Sequence, residues 1–224
     1  QRTQTISTMK MKLSIKAALA AMCVAAAAGN ALARTAADFF TEAPGSVLPL
    51  LDRNARLDMI DYFRHGLPTT TTNLFNGSSK VLSESENCID VQISRDASLQ
   101  IALLQLKNDT IIAVIETVLT PVADSGITFY RSDWSPAPKQ PAMPVAADFI
   151  PKDRRKELKD AEMPPAAYIR ASFNSSDGSF DFINTTPAYY TADGAPEGLA
   201  AMRHSIAMRF DGKRFIEITC PDEK

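Results

Sequence analysis

The clearest periodic pattern of the chain is helical and spans residues 54–65. Its apolar positions fall on one broad arc of a helix, namely Leu57, Met59, Ile60 and Phe63. Its polar positions gather on the opposite arc, namely Asn54, Asp58, Asp61 and His65. Asp52 offers a capping oxygen ahead of this segment, and Gly66 is a C-terminal stop signal. The pattern predicts a helix over residues 54–65 with one packed face and one face in water.

A shorter helical segment precedes this helix at residues 35–40, and Pro44 with Gly45 ends it. A run of apolar residues at 48–51 connects the two segments. We expect four large apolar side chains of this region to join the core of the main helix: Phe39, Phe40, Leu50 and Leu51.

Beyond a threonine-rich loop at residues 69–76, short apolar and β-branched runs alternate with turn signals. Residues 89–93 alternate apolar and polar, which predicts a strand with one wet face. Residues 99–106 and 110–119 are apolar almost throughout, so we expect them to form a central hairpin covered on both faces. A further strand is predicted at residues 126–131. The fold class is therefore α+β, with N-terminal helices packed on a largely antiparallel β-sheet built of hairpins.

The second half of the chain begins with a proline-rich crossover at residues 135–151, followed by a charged segment, 152–162, that predicts a short solvated helix. A hairpin is predicted from residues 167–174 and 179–184. The last hairpin turns at Asp211 and Gly212. A three-residue loop there would place Met208 opposite Ile216, and we expect that register because it pairs apolar residues.

The two halves of the chain share a weak sequence pattern. The hairpins that turn at Asp109 and Asp177 each run on through a threonine to a proline, at Pro121 and Pro187. This pattern is compatible with two related β-rich halves, and it is also what chance gives for two hairpins.

Residues 1–33 have the composition of a leader with a secretory signal peptide. A basic region is followed by an apolar run at residues 17–28 and by an Ala-Leu-Ala cleavage motif that ends at residue 33. Cys23 raises a lipoprotein as an alternative, but it lacks the small residue that lipidation needs immediately before cysteine. No later run approaches the length of a membrane span. We predict a single mature domain, 34–224, that has no transmembrane segment and lies in the periplasm or is secreted.

Cleavage of the leader would remove four of the 24 basic residues and none of the 26 acidic residues, changing the net charge from −2 to −6. A mildly acidic protein binds polyanions poorly. A nucleic-acid partner is therefore not expected.

The chain contains no Gly-x-Ser-x-Gly elbow, no phosphate-binding glycine loop, no His-Glu-x-x-His motif and no Cys-x-x-Cys motif. Its two histidines, His65 and His204, are too few for a histidine-rich metal site. No cofactor is expected, and no catalytic residue is assigned.

The most specific polar cluster is Asp58, Asp61 and His65, whose spacing places two carboxylates and an imidazole on the wet face of the predicted helix. Such a group is a candidate site for a divalent cation or for acid–base chemistry. The same residues also suit an ordinary water-facing stripe, with a cation near the helix C-terminus. We favour the ordinary stripe.

Cys88 and Cys220 are the two thiols of the mature chain, and export would allow them to form a disulfide. The strand patterns place them on faces of opposite character, although both lie at strand ends, so paired and free thiols both remain open. Asp109-Thr110-Ile111 resembles a short bacterial O-glycosylation signal, which makes Thr110 a candidate glycan site.

The runs at residues 37–44, 48–51 and 56–61 together resemble the opening of a domain-of-unknown-function family of short secreted proteins from Gram-negative gut anaerobes. This resemblance implies an exported domain and assigns no site. We expect a non-catalytic protein that binds an envelope protein or a small ligand. The alternative is a secreted hydrolase with an unrecognised active site. A pocket joining a histidine, a carboxylate and a hydroxyl would favour the hydrolase, and an aromatic patch of Trp134, Tyr189 and Tyr190 would favour binding.

Overall fold

The computed structural model describes residues 34–106, 109–156, 158, 163–190 and 194–218. Within these residues the fold is α+β, with two α-helices and two antiparallel sheets. The helices are α1 (Ala36–Glu42) and α2 (Arg53–Arg64). The six-stranded sheet runs in chain order through β1 (Thr71–Thr72), β2 (Ser78–Glu84), β3 (Cys88–Ser94), β4 (Ala97–Leu106), β5 (Asp109–Val118) and β6 (Asp124–Arg131). The four-stranded sheet has the order β10-β9-β8-β7, from β7 (Ile169–Asn174), β8 (Ser179–Asn184), β9 (Ser205–Phe210) and β10 (Phe215–Glu217).

The six-stranded sheet lies between two hydrophobic cores. One face packs against α1 and α2, and the other packs against the four-stranded sheet. Strand β4 shows the alternation, because Ile101 and Leu103 enter the helix-side core while Ala102 and Leu104 enter the core between the sheets. The prediction that the central hairpin is covered on both faces is confirmed.

The helix α2 lies within one residue of its predicted bounds, and the Asp52 Oδ1 atom accepts a hydrogen bond from Ala55 N at 2.8 Å. Its buried face differs from the prediction. Leu57 and Phe63 are exposed, whereas Arg56 is buried together with Met59 and Ile60.

The burial of Arg56 has a structural cause. Its Nη1 atom donates to Phe40 O at 2.8 Å and to Ala43 O at 2.7 Å, and these carbonyls belong to the end of α1. Carbonyls at a helix C-terminus lack partners within the helix. A guanidinium therefore takes a place on the buried arc that periodicity alone assigns to apolar side chains.

The predicted wet face of β3 is also partly covered. Cys88 is buried in the core between the sheets, and Asp90 and Gln92 are half-buried on the same side. The four-stranded sheet supplies this cover, which the pattern within one strand does not reveal.

The proline-rich crossover pairs with β6 through a bridge between Tyr130 and Pro136, and it then forms a 3₁₀ helix, Ala146–Phe149. Phe149 is fully buried in the second core. Residues 152–156 form a turn where a short helix was predicted, and residues 157 and 159–162 lie outside the described part of the chain.

The register of the last hairpin differs from the prediction. Phe210 pairs with Phe215 and Met208 with Glu217, so the loop contains four residues, 211–214. This register turns Phe215 inward against four other rings, Phe129, Phe180, Phe182 and Phe210. Ile216 is exposed as a result. The Oδ1 atom of Asp211 stabilises the loop by accepting from Lys213 N and Arg214 N.

Candidate ligand-binding groove

An apolar groove lies on the helix side of the six-stranded sheet, at the end that the helices leave uncovered. It is bounded by the segment between α1 and α2 and by the ends of β3, β4 and β5, and its volume is about 190 Å³. Its lining residues are Val47, Leu48, Pro49, Leu50, Leu51, Ile93, Ala97, Ser98, Leu99, Glu116, Thr117 and Val118. Nine of these twelve residues are apolar, so the groove suits the apolar part of a ligand.

The wall formed by residues 47–51 is fixed to the protein core. Leu48 and Leu51 are buried beneath it, while Pro49 is exposed and Leu50 is half-buried. A turn at Pro44 starts the segment, because Val47 N and Leu48 N both donate to Pro44 O. The groove wall is therefore anchored by two leucines and does not depend on a free loop.

The groove contains one charged residue among the described residues that line it, Glu116. This residue pairs with Leu99 across β4 and β5, and its side chain is exposed. The hydroxyl of Thr117 is within hydrogen-bonding distance of Ser125 Oγ at 2.8 Å and is thereby occupied. Desolvation raises the pKa of the nearby Tyr130, and the negative charge of Glu116 raises that pKa further.

A turn that carries two exposed apolar side chains adjoins the groove. Leu74 is 68% exposed and Phe75 is 80% exposed, the largest exposed fractions among the large hydrophobic residues of the described chain. The turn meets the groove wall directly, because Leu74 N donates to Leu50 O at 3.0 Å. We call Leu74 and Phe75 the apolar tip, and the groove together with this tip the apolar face.

Asn73 holds the apolar tip in one conformation. Its buried side chain accepts hydrogen bonds from Phe75 N and Gly77 N, and it donates to Ser79 Oγ and to Ile93 O. A Cβ atom at Gly77 would lie 2.9 Å from Asn73 Nδ2, so a larger residue here would displace the Asn73 amide from its hydrogen bonds. The two apolar side chains are thus presented on a backbone that is ordered before any ligand binds.

The predicted polar cluster on α2 is only partly assembled. His65 Nδ1 lies 3.1 Å from Asp61 Oδ1 and 2.9 Å from the Asp61 carbonyl oxygen, and both side chains are mostly exposed. Asp58 lies one turn earlier on the same exposed face. Among the described residues, no group of three or more His, Cys, Asp or Glu side chains is arranged to hold a metal ion.

The second histidine, His204, lines a different cavity of about 380 Å³ together with Asn184 and Tyr190. No carboxylate belongs to the part of this lining that the structure describes. Among the described residues of this lining, His204 is therefore not joined to a carboxylate.

Of the three aromatic residues considered together in the sequence, Trp134 lies apart from Tyr189 and Tyr190. Trp134 packs against Phe39 and Tyr130 beside the helix-side core. Tyr189 and Tyr190 are in contact, and Tyr189 also packs on Tyr168 with a centroid distance of 5.0 Å. Desolvation, followed by the proximity of Tyr189, raises the pKa of Tyr168. The aromatic cluster in the structure therefore consists of Tyr168, Tyr189 and Tyr190, and it does not include Trp134.

The remaining candidate residues are only partly described. Cys88 is buried and forms no disulfide with another described residue, and burial raises its pKa to about 12. Cys220 lies outside the described residues, so its pairing with Cys88 stays a prediction. Thr110 is half-buried at the start of β5, and its hydroxyl donates to Gln105 Oε1 at 3.0 Å. Its glycosylation stays a prediction as well.

Sequence reasoning missed the groove and the apolar tip. The Asn76-Gly77 pair, a frequent hairpin turn signal, follows Leu74 and Phe75 directly and could have identified the tip. The groove has no such signal, because its lining comes from residues 47–51 and from the ends of three strands.

The fold and its groove define an α+β domain in which helices and a second sheet cover the two faces of an antiparallel sheet. The chain belongs to the family described as protein of unknown function (DUF3256), whose profile matches residues 28–215. The predicted membership of a family of unknown function is thereby confirmed. Among solved structures, the chain is similar to a domain of an uncharacterized protein from Porphyromonas gingivalis W83, with a TM-score of 0.62 and 22% identity over 80% of this chain and 96% of that one. This likeness concerns the fold. The chain matches no curated protein.

Across the described residues, none of the helices combines the length and the apolar character needed to cross a membrane.

Proposed function

We propose that this chain is an exported, non-catalytic protein that binds an envelope protein or a small ligand through its apolar face. The observation that carries the proposal is that two exposed apolar side chains, on a turn held by Asn73, adjoin an apolar groove through the hydrogen bond from Leu74 N to Leu50 O. Contiguous exposed apolar surface is characteristic of interaction sites. The predicted leader at residues 1–33 supports the location in the envelope.

The apolar face is better suited to binding a partner than the other cavities of the described chain. A rigid aromatic side chain contributes large contact area at a small cost in conformational entropy, and such residues dominate many interfaces. Phe75 meets both conditions, because it is exposed and its backbone N–H is fixed by Asn73 Oδ1 at 3.0 Å. The tyrosine cluster around Tyr168 adjoins the cavity lined by His204, and the described residues form no comparable apolar groove there.

Site-specific photocrosslinking in the native cell tests the proposal. A photoreactive phenylalanine analogue is placed at position 75 and, as a matched control, at position 189, where an exposed tyrosine lies outside the apolar face. We expect a discrete adduct from position 75 that disappears when Val118→Asp places a charge in the groove. Equal adduct formation at both positions, or no adduct at position 75, would contradict the proposal.

A further inference from the structure

The carboxylate of Glu116 distinguishes one side of the groove from the rest of its apolar lining. Glu116 takes no part in the ion pairs Arg64–Glu84, Arg203–Glu217 and Arg214–Asp211 of the described chain, nor in the contact between His65 and Asp61. This carboxylate therefore has no described cationic partner and remains available to a ligand.

The structure leaves space for a group to approach this carboxylate. Glu116 pairs with Gly126 across β5 and β6, so the neighbouring position on the same face carries no side chain. A Cβ atom placed on Gly126 would meet nothing within 4 Å. A bulky cationic group can thus lie beside Glu116 without displacing protein atoms.

The apolar part of the face extends beyond the groove. Val118, two residues after Glu116 on the same strand face, is 56% exposed. At the opposite wall, the carbonyl oxygen of Leu50 accepts a hydrogen bond from the backbone N–H of Leu74 in the apolar tip. A ligand that covers this surface needs more than one apolar group and at least one positive charge.

We propose that the apolar face binds an extended polypeptide segment in which lysine or arginine lies next to apolar side chains. The apolar side chains enter the groove and contact the tip, and the cation pairs with Glu116. The proposal rests on the proposed binding function and names the chemistry of its partner. Charge complementarity is its main support, because a single unpaired carboxylate beside apolar surface favours a ligand with the opposite charge.

The experiment compares two short blocked peptides, one alternating leucine with lysine and the other alternating leucine with glutamate, by calorimetric titration of the mature protein. At low salt we expect the lysine peptide to bind about 1.5- to fivefold more tightly, the range typical of an exposed ion pair. The preference should fall at high salt, because exposed charges are screened.

Variants of Glu116 give the decisive comparison. We expect Glu116→Gln to remove the preference and Glu116→Lys to reverse it in favour of the glutamate peptide. Glu86→Lys is the matched control, since Glu86 is exposed and lies outside the groove, and it should leave the preference unchanged.

The outcomes separate this inference from the proposed function. Equal binding of both peptides, lost in Val118→Asp, would overturn the role of Glu116 and leave binding at the groove intact. Binding of dodecylamine without binding of either peptide would overturn the polypeptide class. Failure of both peptides and of dodecylamine would overturn the inference, while an adduct from position 75 would still support the function.

Discussion

The side-chain amide of Gln100 forms two hydrogen bonds with the backbone of Phe173, as a neighbouring strand would. Its Oε1 atom accepts from Phe173 N at 2.6 Å, and its Nε2 atom donates to Phe173 O at 3.1 Å. Two further side chains of the six-stranded sheet act on the same edge of β7, since Ser125 Oγ accepts from Ala171 N and Asp124 Oδ1 accepts from Ile169 N. These bonds join the two sheets and satisfy three alternate N–H groups of an edge strand.

The side chain of Gln140 forms a similar pair of hydrogen bonds at the outer edge of β6. Its Oε1 atom accepts from Phe129 N and its Nε2 atom donates to Phe129 O, at 2.8 and 2.9 Å. The remaining outer strands are short, since β1 has two residues and β10 has three. β1 pairs only with Ser78 and Ser79 of β2, and β2 contains a bulge between Val81 and Ser83. Unpaired sheet edges promote aggregation, and these features protect against it.

Replacing Gln100 should therefore weaken the contact between the sheets. Gln100→Leu keeps the approximate size of the side chain but leaves both backbone groups of Phe173 without these partners. We expect a loss of about 1–3 kcal/mol in the free energy of unfolding, measured by urea denaturation. Gln92→Leu is the control, because no described hydrogen bond involves the Gln92 side chain, and it should stay within about 0.5 kcal/mol. Similar losses in the two variants would contradict the proposed role of Gln100.

Arg56 should be more important for stability than its place on a surface helix indicates. Arg56→Met fills a similar volume but removes the donors to Phe40 O and Ala43 O. We expect a loss of about 1–3 kcal/mol, since the two carbonyls then lack partners. Arg53→Met is the control, because Arg53 is exposed at the start of the same helix. An unchanged urea midpoint in Arg56→Met would show that water satisfies these carbonyls.

The helix face supplies a test between packing and metal binding. Ile60→Ala should lower the free energy of unfolding by about 2–5 kcal/mol because it leaves a cavity in the core. Phe63→Ala should cost less, since that side chain is 38% exposed. Asp58→Asn, Asp61→Asn and His65→Gln should each stay within about 0.5 kcal/mol. A rise in melting temperature with calcium, magnesium or zinc that is lost in Asp61→Asn would instead establish a metal site.

Cys88 should make stability decrease at alkaline pH in the reduced protein. Burial raises its pKa from 9.0 to about 12, so between these values the native thiol keeps its proton while the unfolded thiol loses it. The unfolded state then binds fewer protons, and stability falls as pH rises through this range. Cys88→Ala should reduce that slope in urea denaturation at several pH values.

Thiol titration of the denatured, unreduced protein also decides the pairing with Cys220, giving two thiols or none.

Local patterns predicted the elements that depend on local interactions. The bounds of α2 follow from Asp52 and Gly66, and the hairpin of β7 and β8 follows from its turn residues. Long-range contacts explain the errors. Arg56 is buried because of carbonyls that lie 13 and 16 residues earlier, and the last hairpin takes its register from rings on other strands that surround Phe215. The groove could not be predicted because no single segment contains it.

The apolar tip allows stability and binding to be separated. Asn73→Ala removes four hydrogen bonds made by a buried side chain, so it should lower the free energy of unfolding by about 1–3 kcal/mol. Phe75→Ser should leave stability within about 0.5 kcal/mol, because Phe75 is 80% exposed and contributes little to the core.

Binding should respond to both changes, for different reasons. Phe75→Ser removes the aromatic contact itself. Asn73→Ala keeps the Phe75 side chain but loosens the turn that carries it, so binding is opposed by the entropy lost when the turn becomes ordered. Calorimetric titration with the leucine–lysine peptide should show weaker binding in both variants, and urea denaturation should show a stability loss in Asn73→Ala alone. If Phe75→Ser binds as tightly as the unmodified protein, the tip is not part of the binding surface. If Asn73→Ala loses stability but keeps its affinity, the order of the turn matters only for folding.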